Sequence, residues 1–241
     1  MNDSLGDRMK KYYEDRTRFY IPRRTNTIIR LDGRTFHNYC KGLKKPYDEL
    51  FMDIMDTVGL LMTRLQGCKL AYVQSDEISL LLTDYDDIKT DALFDGNIQK
   101  IVSTVASECT ELFNKFARER LKKEGANFDC RVFSIPEQEE VINYFIWRQK
   151  DWTRNSLSLL AQSHFSHKEL QGKSQADMHE MLHSKGVNWA NQSERIKNGC
   201  LWILEEEVLE EKDGFKLTDN GWYMSNKVIT DDRAIIRKVF P

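Results

Sequence analysis

The chain is poor in the features that would take it out of the ordinary globular class. Four prolines and twelve glycines in 241 residues, with no biased tract, exclude collagen-like, linker-like and low-complexity readings. No apolar run approaches the roughly 20 residues that span a bilayer. The N-terminus M-N-D-S-L-G-D-R-M-K-K has no apolar signal core, which points to the cytoplasm and away from a membrane. Five cysteines (40, 68, 109, 130, 200) are odd in number and form no C-x-x-C, which excludes a disulfide framework and a cysteine zinc site. There is little net charge, −2, yet 31% of residues are charged and 40% are hydrophobic, as suits a folded soluble domain. That small net charge hides an asymmetry. Residues 1–45 hold twelve Lys/Arg against five Asp/Glu, and residues 205–213 hold six acids against one lysine. The basic fifth can face an anion such as a phosphate backbone. Composition alone fits a solvated charged face better.

Hydrophobic periodicity divides the first 136 residues into alternating elements. Residues 4–19 read as a helix with Leu5, Met9, Tyr12, Arg16 and Phe19 on one stripe. Thr25–Asp32 reads as a strand ending in an acid, and Glu49–Gln66 as a helix stopped by Gly67. Lys69–Gln74 and Glu77–Thr83 are strand-like runs separated by Ser75 and Asp76, a hairpin signal. Gln99–Lys123 reads as a long helix, followed by a strand at Phe128–Ile135. The order β-α-β-β-α-β is the split-βαβ, ferredoxin-like unit, and the fold class is therefore α+β. We expect residues 1–136 to form a catalytic core with its N-terminal helix. Residues 137–241 should form helices and a short C-terminal hairpin turning at Asp213-Gly214, packed on that core as one integrated domain.

An antiparallel sheet of order 4-1-3-2 sets the C-terminal end of strand one beside the N-terminal end of strand three. Asp32 and Asp76–Glu77, 44 and 45 residues apart, then meet at one sheet edge. Converging carboxylates repel unless a cation lies between them, and a hard divalent ion is the natural occupant. Two such ions can align an attacking hydroxyl and a leaving phosphate oxygen. Gly33 lets the backbone approach a metal or phosphate closely, and Arg34, Lys41, Lys44 and Lys45 follow. Taken singly, either acid reads more simply as a strand-ending turn residue; their convergence favours the site.

A competing pattern is H-E-M-L-H at residues 179–183, which matches the zinc-protease signature. The third ligand position of the longer signature is Trp189, which cannot bind zinc, so two solvent-facing histidines are the simpler reading.

Four motifs in order, R-L-D-G-R-T-F-H (30–37), K-P-Y-D (45–48), Q-S-D-E-I-S (74–79) and W-R-Q-K-D (147–151), resemble the tRNA-His guanylyltransferase superfamily, the 3′-to-5′ nucleotide polymerases. The resemblance runs through about residues 1–205. It implies a polymerase-type palm, which agrees with the βαββαβ order. By position it implies magnesium ligands at Asp32, the Gly33 carbonyl and Asp76, with Glu77 beside them as a catalytic acid. It places Asp32, Gly33, Arg34, Thr35, Phe36, His37, Ser75 and Asp76 in nucleotide-binding segments, with Lys45, Asp48, Lys100, Arg131 and Asn155 as further nucleotide contacts. Two Mg2+ ions, GTP, ATP and other nucleoside triphosphates, tRNA and a homotetrameric assembly follow from the same resemblance.

Departures matter too. Tyr47 stands where the family has Asn. The family's H-I-N-N-L-Y-N segment is T-R-N-S-L-S-L at residues 153–159, retaining Asn155 and Leu157. Met178 stands where eukaryotic members carry lysine. These losses point to the guanylyltransferase-like branch, which repairs 5′-truncated tRNA on a template. Single 5′ G addition to tRNA-His is the alternative. A palm-type nucleotide cyclase would need no RNA, so RNA binding separates it. A non-catalytic RRM-like module would stack bases on sheet aromatics, and the strands supply only Tyr72.

Overall fold

The computed structural model describes residues 4–212, 215–225, 227–229 and 232–240, and the side chains of residues 205–223 are outside that description. Six strands form one sheet: β1 (Asn26–Gly33), β2 (Cys68–Gln74), β3 (Glu77–Leu82), β4 (Phe128–Ile135), β5 (Cys200–Lys212) and β6 (Phe215–Ser225). Their order is β4-β1-β3-β2-β5-β6, so the expected 4-1-3-2 arrangement is present and the C-terminal hairpin extends it. That hairpin is formed by β5 and β6 as expected, and β5 pairs directly with β2 through Leu70↔Ile203 to Val73↔Cys200. The expected turn at Asp213-Gly214 lies outside the described residues.

Nine helices are described: α1 (Leu5–Met9), α2 (Phe36–Tyr39), α3 (Glu49–Met62), α4 (Ile98–Arg120), α5 (Gln138–His164), α6 (His167–Leu170), α7 (Gln175–Ser184), α8 (Glu194–Asn198) and α9 (Ala234–Arg237). The sheet is buried on both faces in its middle, which explains why its strands read as nearly continuous apolar runs. On one face α3 and α4 cover Ile29, Leu31, Val73, Ile78 and Leu80. The stripe Ile101, Val105, Cys109, Phe113, Ala117 recurs every four residues and turns one side of α4 onto the sheet. On the other face α5 brings Val141, Ile142 and Phe145 onto Ile28, Leu70, Tyr72 and Leu81. Asn97 caps α4 and Asp48 caps α3, each side chain accepting an orphan backbone N–H. Gly59 lets α3 sit close to the sheet, since a Cβ there would lie 2.3 Å from Val73 Cγ2.

The N-terminal helix departs from expectation. The helical turns change type along residues 5–17, from α1 through a π turn at Lys10–Glu14 to a 3-10 turn at Asp15–Thr17. Its stripe is left in solvent among the described residues: Leu5, Met9, Tyr12 and Phe19 are all exposed. The period was helical, but the core of this chain is complete without that face.

Candidate active site

The hairpin between β2 and β3 is a two-residue turn closed by Gln74↔Glu77. Ser75 sits in the left-handed region at φ 45, a conformation that costs a non-glycine residue about 1–2 kcal/mol. The turn delivers Asp76 to the end of β1. The Asp76 carbonyl accepts the Gly33 N–H at 3.0 Å, and Asp32 pairs in register with Glu77 on one side and Asp129 on the other. The topology thus brings Asp32, Gly33, Ser75 and Asp76 together, as expected.

Both carboxyls are pushed up in pKa. For Asp76, burial comes first and the negative charges of Asp32 and Glu77 add to it, raising it to about 6. For Asp32, burial again leads, followed by Glu77 and Asp129, with Arg131 and Arg30 opposing. Two partly buried carboxyls, each raised by burial and then by neighbouring carboxylates, carry negative charge that a divalent cation would relieve. The backbone here has no room to spare: a Cβ at Gly33 would fall 2.4 Å from the Phe36 ring and 2.7 Å from Asp76 Oδ2. Two carboxylates with the glycine backbone between them suit magnesium, which keeps waters and takes only one or two carboxylates from a protein. No cluster of three or more His, Cys, Asp or Glu side chains with metal-binding geometry occurs among the described residues. The residues fit a magnesium ion whose shell is completed by water and phosphate.

One wall of this edge is the segment after Gly33. Arg34 N–H donates to Asn127 O at 2.8 Å, and Thr35 takes φ 55 to start α2. His37 and Arg34 are exposed, whereas Phe36 is buried among Tyr39, Phe51, Phe113 and Phe128. Phe36 therefore fixes this segment from below rather than facing a ligand. Asp48 has both carboxylate oxygens occupied: Oδ1 accepts Phe51 N–H and Oδ2 accepts Lys44 N–H, each at 3.0 Å. It holds the Lys44–Lys45 turn in place, and the Lys45–Pro46 peptide is cis. Cys40 lies close enough to feel the Asp76 charge, although burial is the main reason its thiol is pushed up to about 11.

The opposite wall is α5, and here the structure shows what the sequence concealed. Glu77, expected as a catalytic acid, is buried and gripped by Arg148, whose Nε and Nη2 donate to Oε1 and Oε2 at 2.7 and 2.6 Å. Arg148 Nη2 also donates to Asp151 Oδ2 at 3.2 Å, and Arg154 pairs with Asp151. Asn155 follows, 3.4 Å from Asp151 Oδ2. Arg131 is half-exposed beside Asp129, one strand across from Arg30, and so belongs to the same edge. Lys100 does not. It begins α4, which is tied to residues 19–21 by Ile98 N–H to Phe19 O and Ile21 N–H to Gly96 O. The length of β1, about 20 Å at roughly 3.3 Å per residue, separates it from Asp32. Its ammonium instead lies 4.8 Å from the Phe94 ring centroid.

The H-E-M-L-H segment lies on α7, where His179 and His183 are exposed and His179 meets Trp189 edge-on at 5.9 Å. Thr153, at the position of the family histidine, donates to Gln149 O at 3.0 Å and Lys197 O at 3.3 Å. Met178 packs against a small cluster of Leu157, Leu160, Ala161 and Leu182. No helix among the described residues is long and apolar enough to cross a membrane.

Comparison with known proteins identifies the family. Residues 6–136 match the tRNAHis guanylyltransferase family model. A tRNA(His) guanylyltransferase of Debaryomyces hansenii is 30% identical over 219 residues, covering 83% of this chain and 80% of that protein. A bacterial tRNA(His) guanylyltransferase-like protein solved with ATP superposes with TM-score 0.85 at 38% identity, covering 99% of this chain and all of that one. One solved with GTP gives 0.81 at 37%, again covering 99% and 100%. The chain is a nucleotidyltransferase that belongs to the tRNA(His) guanylyltransferase family.

Proposed function

We propose that the chain adds nucleotides in the 3′-to-5′ direction to the 5′ end of tRNA, using magnesium at the Asp32–Asp76 edge, and that it repairs 5′-truncated tRNA against the opposing strand of the acceptor stem. The observation that carries the reading is the meeting of Asp32, Gly33 and Asp76 beside a cationic loop.

Magnesium bound there would supply charge neutralisation for the phosphates and lower the barrier to attack by a hydroxyl. Asp32 and Asp76 would hold it, with the Gly33 carbonyl. The 3′-hydroxyl oxygen of the incoming nucleotide attacks the 5′ phosphorus of the RNA, activated as an adenylate or triphosphate; the new phosphodiester bond forms as the bond to AMP or pyrophosphate breaks, that group leaves, and the hydroxyl proton passes to solvent. Lys45, Arg34 and Arg131 offset the phosphate charge around that junction. Asp48 acts indirectly, by fixing the turn that presents Lys44 and Lys45. Glu77 acts indirectly too, by clamping α5 through Arg148.

Support for repair over single 5′ G addition comes from α5. The family histidine position is Thr153, whose hydroxyl serves the chain's own backbone, and full-length similarity is greater to the guanylyltransferase-like proteins above. A site that keeps its metal and phosphate contacts but lacks contacts specific to one tRNA discriminates less among tRNAs.

The test compares catalytic efficiency on two substrates. One is a tRNA lacking its first 5′ nucleotide, offered each of the four nucleotides; the other is full-length tRNA-His with GTP. Repair predicts that the first is preferred and that the added nucleotide pairs with the opposing base. A strong preference for the second, or addition that ignores the opposing base, overturns it in favour of tRNA-His guanylylation.

A further inference from the structure

Trp147 is 53% exposed, an unusual state for the largest side chain in the protein. It is nevertheless held firmly. The Arg148 guanidinium carbon lies 4.5 Å from its ring centroid, and the Tyr144 ring meets it at 5.8 Å in a T-shaped contact. Tyr144 in turn meets Phe133 of β4 at 5.7 Å. Trp147 is thus the exposed end of an aromatic row running between α5 and the β4 edge of the sheet. Arg148 cannot swing away, because Glu77 holds it by two buried charge-assisted bonds. Glu77 is the register partner of Asp32 on β1, so the indole is linked through Arg148 and Glu77 to the acidic edge.

A large ring immobilised on one side by a cation, and open to solvent elsewhere, has little conformational entropy left to lose when something flat lies on it. Cations flank the same face of the sheet. Arg30 and Arg131 sit opposite one another on β1 and β4, with Asp129 beside Arg131, and the buried Arg30 Nε has no hydrogen-bond partner among the described residues. An aromatic plane beside a pair of arginines is the combination that takes a base and its phosphate.

We infer that Trp147 is a stacking platform for a nucleobase at the active edge. The base comes either from the RNA end being extended or from the incoming nucleotide. This rests on the nucleotide-addition reading above and names a contact which that reading does not require.

The experiment follows Trp147 itself. The chain has five tryptophans, so the Trp147 signal is the emission of the wild type minus that of Trp147→Phe. Two probes are titrated separately, so that no addition takes place: ATP with magnesium, and a 5′-monophosphorylated RNA hairpin lacking its first acceptor nucleotide. Quenching of the difference signal by either probe supports the platform and identifies the source of the base. Quenching by neither overturns it. For the probe that quenches, Trp147→Leu should bind about tenfold more weakly, while Trp147→Phe stays within about twofold, since any aromatic face can stack. Equal binding by the Leu variant, with its Tm close to wild type, also overturns the platform. A protein that shows the quench and the Leu defect but extends no tRNA keeps the platform and loses the polymerase reading, so the two failures are distinct.

Discussion

Glu77 and Arg148, 71 residues apart, form a two-bond ion pair with side chains only 8% and 9% exposed. It joins the strand that carries the hairpin acids to the helix that walls the site. Removing one partner from such a pair leaves a buried charge uncompensated, which typically costs about 3–5 kcal/mol, whereas replacing both by apolar groups costs far less. We expect Arg148→Met to lower stability by an amount in that range, and Glu77→Leu combined with Arg148→Met to recover much of it. Urea unfolding of the four proteins in the cycle checks this. A loss below about 1 kcal/mol in the single variant would refute the clamp. A further variant separates positioning from catalysis: Glu77→Gln should lose activity together with stability, not activity alone.

Gly33 is required for its lack of a side chain. Its Cβ would meet Phe36, and that ring cannot yield because Tyr39, Phe113 and Phe128 surround it at centroid distances of 5.0, 5.5 and 5.0 Å. The alternative is to push the Asp76 carboxylate aside. We expect Gly33→Ala to destabilise by about 1–3 kcal/mol and to abolish nucleotide addition. Gly6→Ala, whose Cβ would have 3.9 Å to its nearest neighbour, is the control and should change neither. An active Gly33→Ala enzyme would place the metal edge elsewhere.

Asp76 should couple magnesium binding to stability through pH. Its folded pKa, raised to about 6, exceeds the unfolded value of roughly 3.9. The folded state therefore binds the proton more readily, and this contribution is present in full at low pH and lost as pH rises through about 6. Above that, the cost of an ionised, buried Asp76 beside Asp32 and Glu77 remains until a cation offsets it. Magnesium should accordingly raise Tm at pH 7.5 and much less at pH 5, and Asp76→Asn should flatten the response. Thermal melts with and without magnesium at both pH values decide it; an equal shift at both would remove the linkage.

Much of this arrangement was legible beforehand, and the reasons are local. Residues 69–83 are apolar on both sides of Ser75-Asp76, so the hairpin declared itself, and the split-βαβ order alone brings Asp32 to it. The Glu77–Arg148 pair was hidden because a bond spanning 71 residues leaves no periodic trace. The exposed stripe of Leu5, Met9, Tyr12 and Phe19 had the right period, but period says nothing about whether a partner face exists. Lys100 is more instructive. A helix leaving the end of β3 must begin at the end of the sheet remote from the β2–β3 hairpin, so topology already set α4's first turn away from Asp32. The motif resemblance, which carries no geometry, suggested otherwise.

Tyr47 supplies the last test, because it stands where the family pattern has Asn. Its hydroxyl donates to Ser156 O at 2.6 Å, tying the Lys44–Lys45 turn to α5 across the site. Ser156 is wholly buried and is itself held by Trp189, whose Nε1 donates to Ser156 Oγ at 3.1 Å. The carbonyl belongs to the interior of a long helix, so losing the tyrosine leaves it with its intrahelical partner, and Tyr47→Phe should cost only about 0.5–1.5 kcal/mol. The larger effect should be on the turn. Asp48 would still anchor its far end through Lys44 and Phe51, but nothing would draw it toward α5. Interactions that position a bound nucleotide equally in ground and transition states appear in KM rather than kcat. We therefore expect Tyr47→Phe to raise KM for the nucleotide several-fold with kcat within about twofold, and Tyr47→Asn, too short to reach Ser156, to do the same. An unchanged KM in both variants would mean that Asp48 alone holds the turn and that the tyrosine only fills space against Leu157 and Leu160.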